Sequence, residues 1–473
     1  MLAIQQNLSK RFYALLSLPS TAMGFALSVQ ISALSWILTT QYGLDIHEVG
    51  LVWAAGPIAG ILGQVIIGII SDNVWFWNGR RRPFILIGGV LAGLMLLALP
   101  NIDIVSKSLG IEAILAVAIA IALTLDLSIN IGFNPTRSII ADVTPEGEKR
   151  TLGYTWMQTI SGTFGVLAYA IGAIWGNFVL IYFGAALVLV LSIFPPFFIT
   201  EPKELAVSER TVASESLSFK DIMINIKPLW GFIIYDIYAM GRQLSGITVE
   251  NYYAEFICVL LTLVWVIQTI KAKEDDKSEQ EAGLVGFRKI LAAHSFSWIG
   301  IQTMFVFIFA FLQDKMGGIA DDELGKIISI SFLVLSAVSA LLPTLLLEPL
   351  ATKFGRVKVH TYCIASMAIG YFLVAFLGHS EYTLYFLMAI LGIGWSAVIS
   401  LVFAIMSEKI DQNKMGMYMG LFNLSVVIPQ LLVSLGVGLF ISQTNDKSAI
   451  FILCGIALTV SALCWSQVKE HKK

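Results

Sequence analysis

A long apolar run that begins near Ala113 carries three polar side chains at helical spacing, those of Asp126, Asn130 and Arg137. At 100° per residue, Asn130 and Arg137 fall within about 40° of Asp126, so one stripe of a single helix carries all three. An ionised group in a hydrocarbon span costs several kcal/mol, so we expect this stripe to face a bundle interior or a water-filled path. Asp126 and Arg137 would lie roughly 16 Å apart along a continuous helix, which predicts separate roles. For each charge, a structural ion pair with a neighbouring helix is the alternative.

The composition of the chain predicts a membrane protein. Of its 473 residues, 57% are hydrophobic and 13% are charged, whereas about 25% of the residues in a soluble domain are charged. The net charge of -2 gives no indication of nucleic-acid binding. The cysteines lie in apolar runs without metal-ligand spacing, and we interpret them as packed thiols. Because the sequence shows no metal cluster and no nucleophile–base arrangement, it predicts no metal, no cofactor and no enzymatic activity.

Apolar runs long enough to cross a bilayer, at least ~18 residues each, occur in two sets of six. The first set is predicted at about 15–40, 49–71, 83–100, 112–140, 153–176 and 178–199. The second set is predicted at about 291–313, 326–348, 359–378, 382–407, 416–441 and 447–466. Lys and Arg are concentrated in alternate loops, so the positive-inside rule places both termini in the cytoplasm.

A short motif recurs at the same place in both sets. Asp72 precedes a Gly-Arg pair by seven residues, and Glu348 precedes another Gly-Arg pair at the same spacing. Each acid closes the second span of its set, and each pair, which ends at Arg80 or at Arg356, comes before the third span. Two six-helix halves related in this way are typical of a transporter that rocks around a site at the membrane midplane. We therefore predict an all-α membrane transporter built from two pseudo-repeats.

The middle of the chain separates the two predicted bundles. The predicted domains are an N-terminal bundle at 1–200, a cytoplasmic linker with inserted apolar helices at 201–290, and a C-terminal bundle at 291–473. Within the insertion, Leu229–Met240 is short for ~30 Å of hydrocarbon and contains Asp236, whereas Ala254–Ile270 is long enough to cross. Because the second bundle must begin in the cytoplasm, the insertion crosses an even number of times. Either both segments form an added pair of spans, which we favour, or both lie on the membrane surface.

The second and third predicted spans resemble a known family. The stretches WAAGPIAGILGQVIIGIISD, from Trp53 on, and NGRRRPFI, from Asn78 on, are similar to proton-coupled sucrose and glucoside transporters of the major facilitator superfamily, which are grouped with glycoside–pentoside–hexuronide symporters. Further matches extend the resemblance to both halves. They include Gln30, Ser32, Asp126, Asn130, Pro135, Arg137, Asp142, Gly420, Asn423, Pro429 and Gln430.

This resemblance implies the major facilitator fold and sugar uptake driven by a proton. Asp126 matches the membrane aspartate that accepts the proton and contacts the sugar, and Arg137 matches a transport-essential arginine. The residues agree with the first role, because a carboxyl group at mid-span in a low dielectric readily takes up a proton. If sugar hydroxyls bind to Asp126 and Asn130, the two ligands are coupled reciprocally. The other substrate-binding candidates, for which helix–helix contacts are the alternative, are Gln30, Gln64, Asn423, Gln430 and Trp53.

Charged residues at the predicted cytoplasmic ends of the spans are interpreted as an inner gate. The fourth span runs from outside to inside, which places Arg137 near the cytoplasmic mouth. An acid that ends the second span and basic residues before the third can pair with the neighbouring bundle while the outer side is open. For Arg81 and Arg82, a positive-inside anchor is the alternative. The gate candidates are Asp72, Arg80, Arg81, Arg82, Arg137, Asp142, Glu348 and Arg356.

We therefore predict a secondary symporter that imports a disaccharide or another glucoside, sucrose-like or maltose-like, with protons by alternating access. The alternatives are a sodium-coupled or facilitative carrier, an exporter of another small molecule, and a transporter-like sensor. The predicted partners are a sugar, a proton and the lipid bilayer. We also predict a monomer. Compact loops and the absence of targeting signals favour a plasma membrane, most simply a bacterial inner membrane.

Overall fold

The computed structural model describes residues 8–60, 74–144, 148–201, 219–245, 251–275, 277–410 and 415–470. Twelve helices among these residues are long and apolar enough to cross a membrane, which confirms the prediction of an all-α multi-pass membrane protein. One of the twelve is Tyr253–Ile270 in the insertion. The second predicted span, 49–71, falls partly on residues 61–73, which lie outside the described chain.

The chain divides into two compact units. Unit 1 comprises residues 1–211 and 318–333, and unit 2 comprises residues 212–317 and 334–473. The insertion therefore groups with the C-terminal helices, and the first part of the predicted eighth span groups with the N-terminal helices. The domain limits predicted at 200 and 291 remain a prediction.

Capping residues in the sequence mark the starts of the first two helices of unit 1. Its helices are α1 (Lys10–Thr40), α2 (Ile46–Trp53), α3 (Arg82–Ala98), α4 (Ile102–Leu109), α5 (Ile114–Val143), α6 (Glu148–Trp175) and α7 (Asn177–Phe197). At the start of α1, the side chain of Ser9 accepts a hydrogen bond from the backbone N–H of Phe12. At the start of α2, Asp45 and Glu48 form a capping box.

Small residues let α3 pack closely between α5 and α7. A Cβ atom on Gly88 would lie 2.7 Å from the backbone oxygen of Ser128 on α5, and one on Gly89 would overlap the side chain of Ser192 on α7. Close approach of helix backbones at small residues is the usual way in which spans associate without a hydrophobic driving force. This packing fixes α5, the helix that carries Asp126.

The remaining helices belong to unit 2, except for the first part of α12. They are α8 (Phe219–Asn225), α9 (Trp230–Ser245), α10 (Tyr253–Ile270), α11 (Glu279–Lys315), α12 (Asp321–Leu342), α13 (Glu348–Phe354), α14 (Arg356–Leu377), α15 (Glu381–Ser407), α16 (Met415–Leu432), α17 (Gly438–Ser442) and α18 (Ser448–Trp465). Two π-helical segments, Pro343–Leu347 and Val433–Val437, follow α12 and α16. Such π-turns often mark functional sites within helices.

The insertion forms an antiparallel pair of helices, α9 and α10, which we call the inserted hairpin. Near its base the rings of Trp230 and Trp265 pack edge to face with centroids 5.4 Å apart. Near its tip Arg242 pairs with Glu255 at 3.3 Å. The hairpin packs on α11 through Phe232 and is part of unit 2.

Helix α11 begins earlier than predicted. It starts at Glu279, with Ser278 as its N-cap, whereas the hydropathy pattern placed the start of this span at 291. The additional turns carry charges that the protein itself neutralises, since Nζ of Lys289 lies 2.8 Å from Glu274 in a buried pair. The helix contains the predicted apolar run and extends beyond it, because an apolar-run criterion stops at charged residues, whereas a helix continues wherever those charges find partners.

Candidate functional site

The carboxyl group of Asp126 lies in the interior of unit 1. Asp126 is 5% exposed, and its Oδ2 accepts a 3.0 Å hydrogen bond from Nε2 of Gln30 on α1. Gly56, in the helical segment 55–60 after α2, lies against the same group, because a Cβ on Gly56 would be 3.6 Å from that oxygen. The structure therefore brings together two predicted site residues from different helices. A buried carboxyl group with an amide donor can be held as an anion or can take up a proton.

Asn130 supports Asp126 from the next turn of α5. Its Nδ2 donates a 2.8 Å hydrogen bond to the backbone oxygen of Asp126, and the residue is buried. This bond holds the amide beside the acid on the same buried stripe, as the helical spacing predicts. The stripe itself lies on the single continuous helix α5.

Arg137 lies further along α5, and its side chain is exposed. Its guanidinium sits over the ring of Phe133, 5.2 Å from the centroid, and its backbone oxygen accepts a 3.3 Å hydrogen bond from the hydroxyl of Tyr154. No ion pair joins Arg137 to a carboxylate within the described part of the chain. The separation from Asp126 agrees with the expectation of separate roles, whereas the predicted gate role of Arg137 remains a prediction.

Trp53 and Gln64 complete the predicted binding residues of unit 1. Trp53 is buried, and its indole N–H donates a 2.9 Å hydrogen bond to Oγ of Ser35 on α1. The bond anchors the ring to the helix that also carries Gln30. Gln64 lies outside the described residues.

In unit 2, two amides meet in the interior. Nε2 of Gln430 on α16 donates a 3.1 Å hydrogen bond to Oε1 of Gln302 on α11. Asn423 is half-buried two turns earlier on α16. Gln302 was missed at the sequence level because it lies in an apolar run without a motif around it. Close by in sequence on α11, Trp298 packs edge to face on Trp395 of α15 with centroids 6.0 Å apart, so unit 2 offers amides and aromatic faces on neighbouring helices.

Residues 74–82, which we call the first basic loop, present a buried ion pair. Nε of Arg81 lies 3.1 Å from Oδ2 of Asp142 near the end of α5, and the two side chains are 8% and 11% exposed. Arg80 and Arg82 are partly buried, and Arg82 bonds the backbone oxygen of Asn78 at 3.3 Å. The pair joins two predicted gate residues within unit 1. Asp72, the predicted acid of this gate, lies outside the described residues.

A glutamate that the sequence analysis did not single out caps α3. The carboxylate of Glu201, just after α7, accepts backbone N–H bonds from Arg80, Arg81 and Arg82 at 2.8, 2.8 and 2.7 Å. A Cβ on Gly79 would lie 2.7 Å from Oε1 of Glu201, so glycine at this position lets the carboxylate reach the helix start. The arrangement satisfies N–H groups that a helix leaves unpaired at its first turn.

Residues 354–358, which we call the second basic loop, repeat this arrangement in unit 2. Arg356 pairs with Glu408 after α15, and Glu470 accepts the backbone N–H groups of Arg356 and Val357 at 2.8 and 3.0 Å. A Cβ on Gly355, whose φ is +94°, would lie 2.6 Å from Oε2 of Glu470. The Gly-Arg repeat therefore has a physical basis in both units, namely a glycine beside a capping glutamate.

The repeat differs from the sequence expectation in two details. The sequence spacing matches Arg356 with Arg80, but the residue of the first basic loop that forms the ion pair is Arg81. Glu348, the predicted partner acid of the second gate, is exposed, and no ion pair to it occurs in the described ranges. Beside Glu408, burial lowers the pKa of Lys409 below its ordinary value. The gate roles of these residues remain a prediction.

The first part of α12 packs into unit 1 through small polar residues. Oγ of Ser329 lies 2.8 Å from Oγ of Ser32 on α1 and 3.3 Å from Oδ1 of Asn177 at the start of α7. On α6, a Cβ at Gly172 would overlap the side chain of Ser329. Trp36 adds a 2.9 Å bond from its indole N–H to the backbone oxygen of Asp321. Ser329 was not noted in the sequence, because serines in apolar helices give no pattern of their own.

Comparison with known proteins places the fold and the site in context. A family model described as the Major Facilitator Superfamily matches residues 16–434 and, in a second match, residues 302–473. Sucrose transport protein SUC4 of Arabidopsis thaliana is 24% identical over 484 residues, which cover 92% of this chain and 85% of that protein. The General alpha-glucoside permease of Schizosaccharomyces pombe is 29% identical over 174 residues, which cover 33% of this chain and 31% of that protein.

Solved transporter structures share the fold at low sequence identity. The POT family transporter PepTSo aligns with a TM-score of 0.68 at 12% identity, over 97% of this chain and 98% of that chain. The nucleoside transporter NupG aligns with a TM-score of 0.62 at 12% identity, over 97% of this chain and 100% of that chain. These likenesses show that the chain shares the fold of these structures.

Proposed function

Because this membrane transporter belongs to the Major Facilitator Superfamily, we propose that it imports a disaccharide or another glucoside together with protons by alternating access. The observation that carries the proposal is the buried Asp126 carboxyl group, which accepts a hydrogen bond from Gln30. The names of the relatives, sucrose transport proteins and an alpha-glucoside permease, support the substrate class. We place the protein in a plasma membrane, as a monomer with both termini in the cytoplasm.

The chemistry of the site supports coupling through a single group. As an anion, Asp126 accepts a hydrogen bond from the amide N–H of Gln30. In this charged state its burial away from water is energetically costly. After it takes up a proton, the neutral acid tolerates a dry interior and can donate a hydrogen bond to a sugar oxygen. Gln30 and Asn130 then offer amide groups to the sugar hydroxyls. Proton and sugar thus favour each other's binding, and this coupling is the same in both directions.

The proposal is tested by sugar-induced proton uptake into de-energised vesicles with sucrose, maltose and trehalose. We expect the external medium to become alkaline with one of these sugars, and the signal to vanish in Asp126→Asn, which keeps the shape of the side chain but cannot titrate. Asp103→Asn, at an exposed position on α4, is the matched control and should behave as the parent. Proton uptake that survives Asp126→Asn would place coupling elsewhere. Sugar binding without any proton movement would overturn proton symport.

A further inference from the structure

The inserted hairpin runs along unit 2 from one end of α11 towards the other. At its base, Asn225 accepts a 3.1 Å hydrogen bond from Nε of Arg288, near the start of α11. At its tip, Tyr252 bonds Gln443 after α17, and the loop that follows Gln443 is tied by an ion pair to Lys315, the last residue of α11. Helix α11 is long and apolar enough to cross a membrane. The hairpin therefore covers the length of a membrane span.

The surface of α10 has the character of a helix in lipid. Its buried positions include the small or polar residues Cys258, Thr262 and Thr269. Between positions 256 and 267 its exposed side chains are all apolar and between 43% and 62% exposed, and they are Phe256, Ile257, Val259, Leu260, Leu263, Val264 and Ile267. In water this surface would be a large exposed apolar patch, whereas in a bilayer it needs no partner. The pattern favours an added pair of spans over helices on the membrane surface.

Within this hairpin, the carboxyl group of Asp236 points to the protein side. Asp236 is 5% exposed and lies one helical turn after Phe232, whose ring packs on Phe296 of α11 at 5.5 Å. The preceding residue, Tyr235, places its hydroxyl against Gly436 in the π-helical segment after α16. Oδ1 of Asp236 is buried, and no residue of the described chain offers it a hydrogen bond. An ionisable side chain in such a position is expected to have a function, because its burial is costly.

Among the residues that the structure describes, no ion pair to Asp236 occurs. Arg242, the basic residue of α9, is paired with Glu255 of α10 at 3.3 Å. Tyr235, Tyr238 and Cys258, further titratable groups of the hairpin, carry no positive charge in any protonation state. The contacts made by α11 and by the π-helical segment, Phe296 and Gly436, carry no charge.

These surroundings suit a proton better than a metal ion. Among the described residues there is no group of three or more His, Cys, Asp or Glu that could hold a metal. A carboxyl group buried without a counter-charge is most stable as the neutral acid, which needs no compensating cation. The proton comes from water and returns to it as the pH rises.

We propose that Asp236 is a second proton-binding group of this transporter, carried by a hairpin that crosses the membrane beside α11 and α16. With the proton bound, the hairpin packs on the π-helical segment without a buried charge. When the proton leaves, an anion remains against the helix that carries Asn423 and Gln430, and the packing weakens. The site does not depend on Asp126 or on the identity of the sugar.

The first experiment follows thermal unfolding of the full chain in lipid nanodiscs as the pH is raised. We expect the unfolding temperature of the parent to fall at high pH, and the Asp236→Asn protein to show a smaller fall because its amide mimics the neutral acid at every pH. Asp275→Asn, at an exposed loop position, is the matched control and should keep the shift. If parent and Asp236→Asn show the same pH dependence, the proposal is wrong.

Infrared spectroscopy gives a second, independent readout. A protonated carboxylic acid has a C=O stretching band separate from that of carboxylates, and we expect one such band to disappear in Asp236→Asn while the band of Asp126 is unaffected. If Asp236→Asn does not fold, Asp236→Glu replaces it and should shift the band. An acid band that neither substitution changes would overturn the assignment. Since no sugar is needed, this result is separate from the outcome of the symport experiment.

Membrane crossing is tested by labelling at the tip of the hairpin. The native cysteines are buried, so a single added thiol can be followed with a membrane-impermeant maleimide. Asn251→Cys should react from the outer face of sealed vesicles, whereas Lys277→Cys, after the hairpin, should react from the cytoplasmic face. Reaction of both positions from the same face would rule out a crossing hairpin.

Discussion

The ion pairs of the two basic loops join the same kinds of residues, an arginine and an acid, but they are buried to different extents. In the first basic loop, the side chains of Arg81 and Asp142 are 8% and 11% exposed. In the second, those of Arg356 and Glu408 are 42% and 27% exposed. Breaking a buried pair leaves an uncompensated charge in a low dielectric, whereas an exposed pair is screened by water and salt. The repeated ion pair therefore has a similar arrangement in both units, but we expect it to contribute more to stability in unit 1 than in unit 2.

The interiors of the units differ in chemistry as well. Unit 1 pairs a carboxyl group with an amide, Asp126 with Gln30, and unit 2 pairs two amides, Gln430 with Gln302. Only the first pair can change its charge. The repeated loops thus accompany interiors of different chemistry, with an acid–amide pair in unit 1 and an amide–amide pair in unit 2.

The largest expected difference concerns the two ion pairs. Arg81→Gln should lower the free energy of unfolding by about 3–5 kcal/mol, because it leaves Asp142 buried and unpaired. Arg356→Gln should lower it by about 0.2–1 kcal/mol, because its pair is partly solvated. Denaturant or thermal unfolding of the purified protein in detergent measures both.

A double substitution separates the ion pair from general packing. Arg81→Gln combined with Asp142→Asn removes both charges and should recover part of the loss seen with Arg81→Gln alone. Equal effects of the single substitutions at Arg81 and Arg356 would contradict the difference in depth.

A smaller difference is expected at the capping glutamates. Glu201→Gln exchanges a carboxylate that accepts three backbone N–H groups for a neutral amide, and should cost about 1–3 kcal/mol. Glu470→Gln affects two N–H groups at an exposed position and should cost about 0.5–1 kcal/mol. Hydrogen exchange measured by mass spectrometry should quantify both effects. Relative to the parent, Glu201→Gln should speed up exchange in the first turn of α3 more than Glu470→Gln speeds it up in the first turn of α14. Similar exchange rates in the two variants would remove the distinction.

The smallest effect is expected at the amide pair. Gln302→Leu should weaken sugar binding about 2- to 10-fold, the equivalent of about 0.5–1.5 kcal/mol for a neutral hydrogen bond, and leave the number of protons per sugar unchanged. Gln430→Leu removes the other partner of the same hydrogen bond and should have a similar effect. The double variant should therefore bind the sugar little worse than either single variant. A fall in stability with unchanged sugar affinity would identify the pair as a helix–helix contact only.

Much of the architecture could be predicted because a membrane span is marked by a continuous apolar run, which can be read directly from the sequence. The runs predicted at 112–140 and 382–407 correspond to Ile114–Val143 and Glu381–Ser407. Asp126 stood out for the same reason, since an acid in an apolar run is costly and therefore rare. Its contact with Gln30 agrees with the resemblance of both residues to one family.

Other features depend on contacts that no local pattern contains. Glu201 caps N–H groups up to 121 residues earlier in the chain, and a single acid after a span has no signature. Gln302 gave no signal because amides in spans usually serve helix contacts. Helix α9 is too short for a span criterion, and only its packing against α11 shows that Asp236 is buried.

The cap on α3 has a consequence for biosynthesis. The chain is made from the N-terminus, so the first backbone N–H groups of α3 enter the membrane interface before Glu201 exists. They receive their acceptor only after α7 has been completed, 119 to 121 residues later. Until then the start of α3 must be solvated by water or headgroups. Synthesis of Glu201 therefore supplies the acceptor for these N–H groups, and translation stalled or truncated before this residue would leave the start of α3 without its cap.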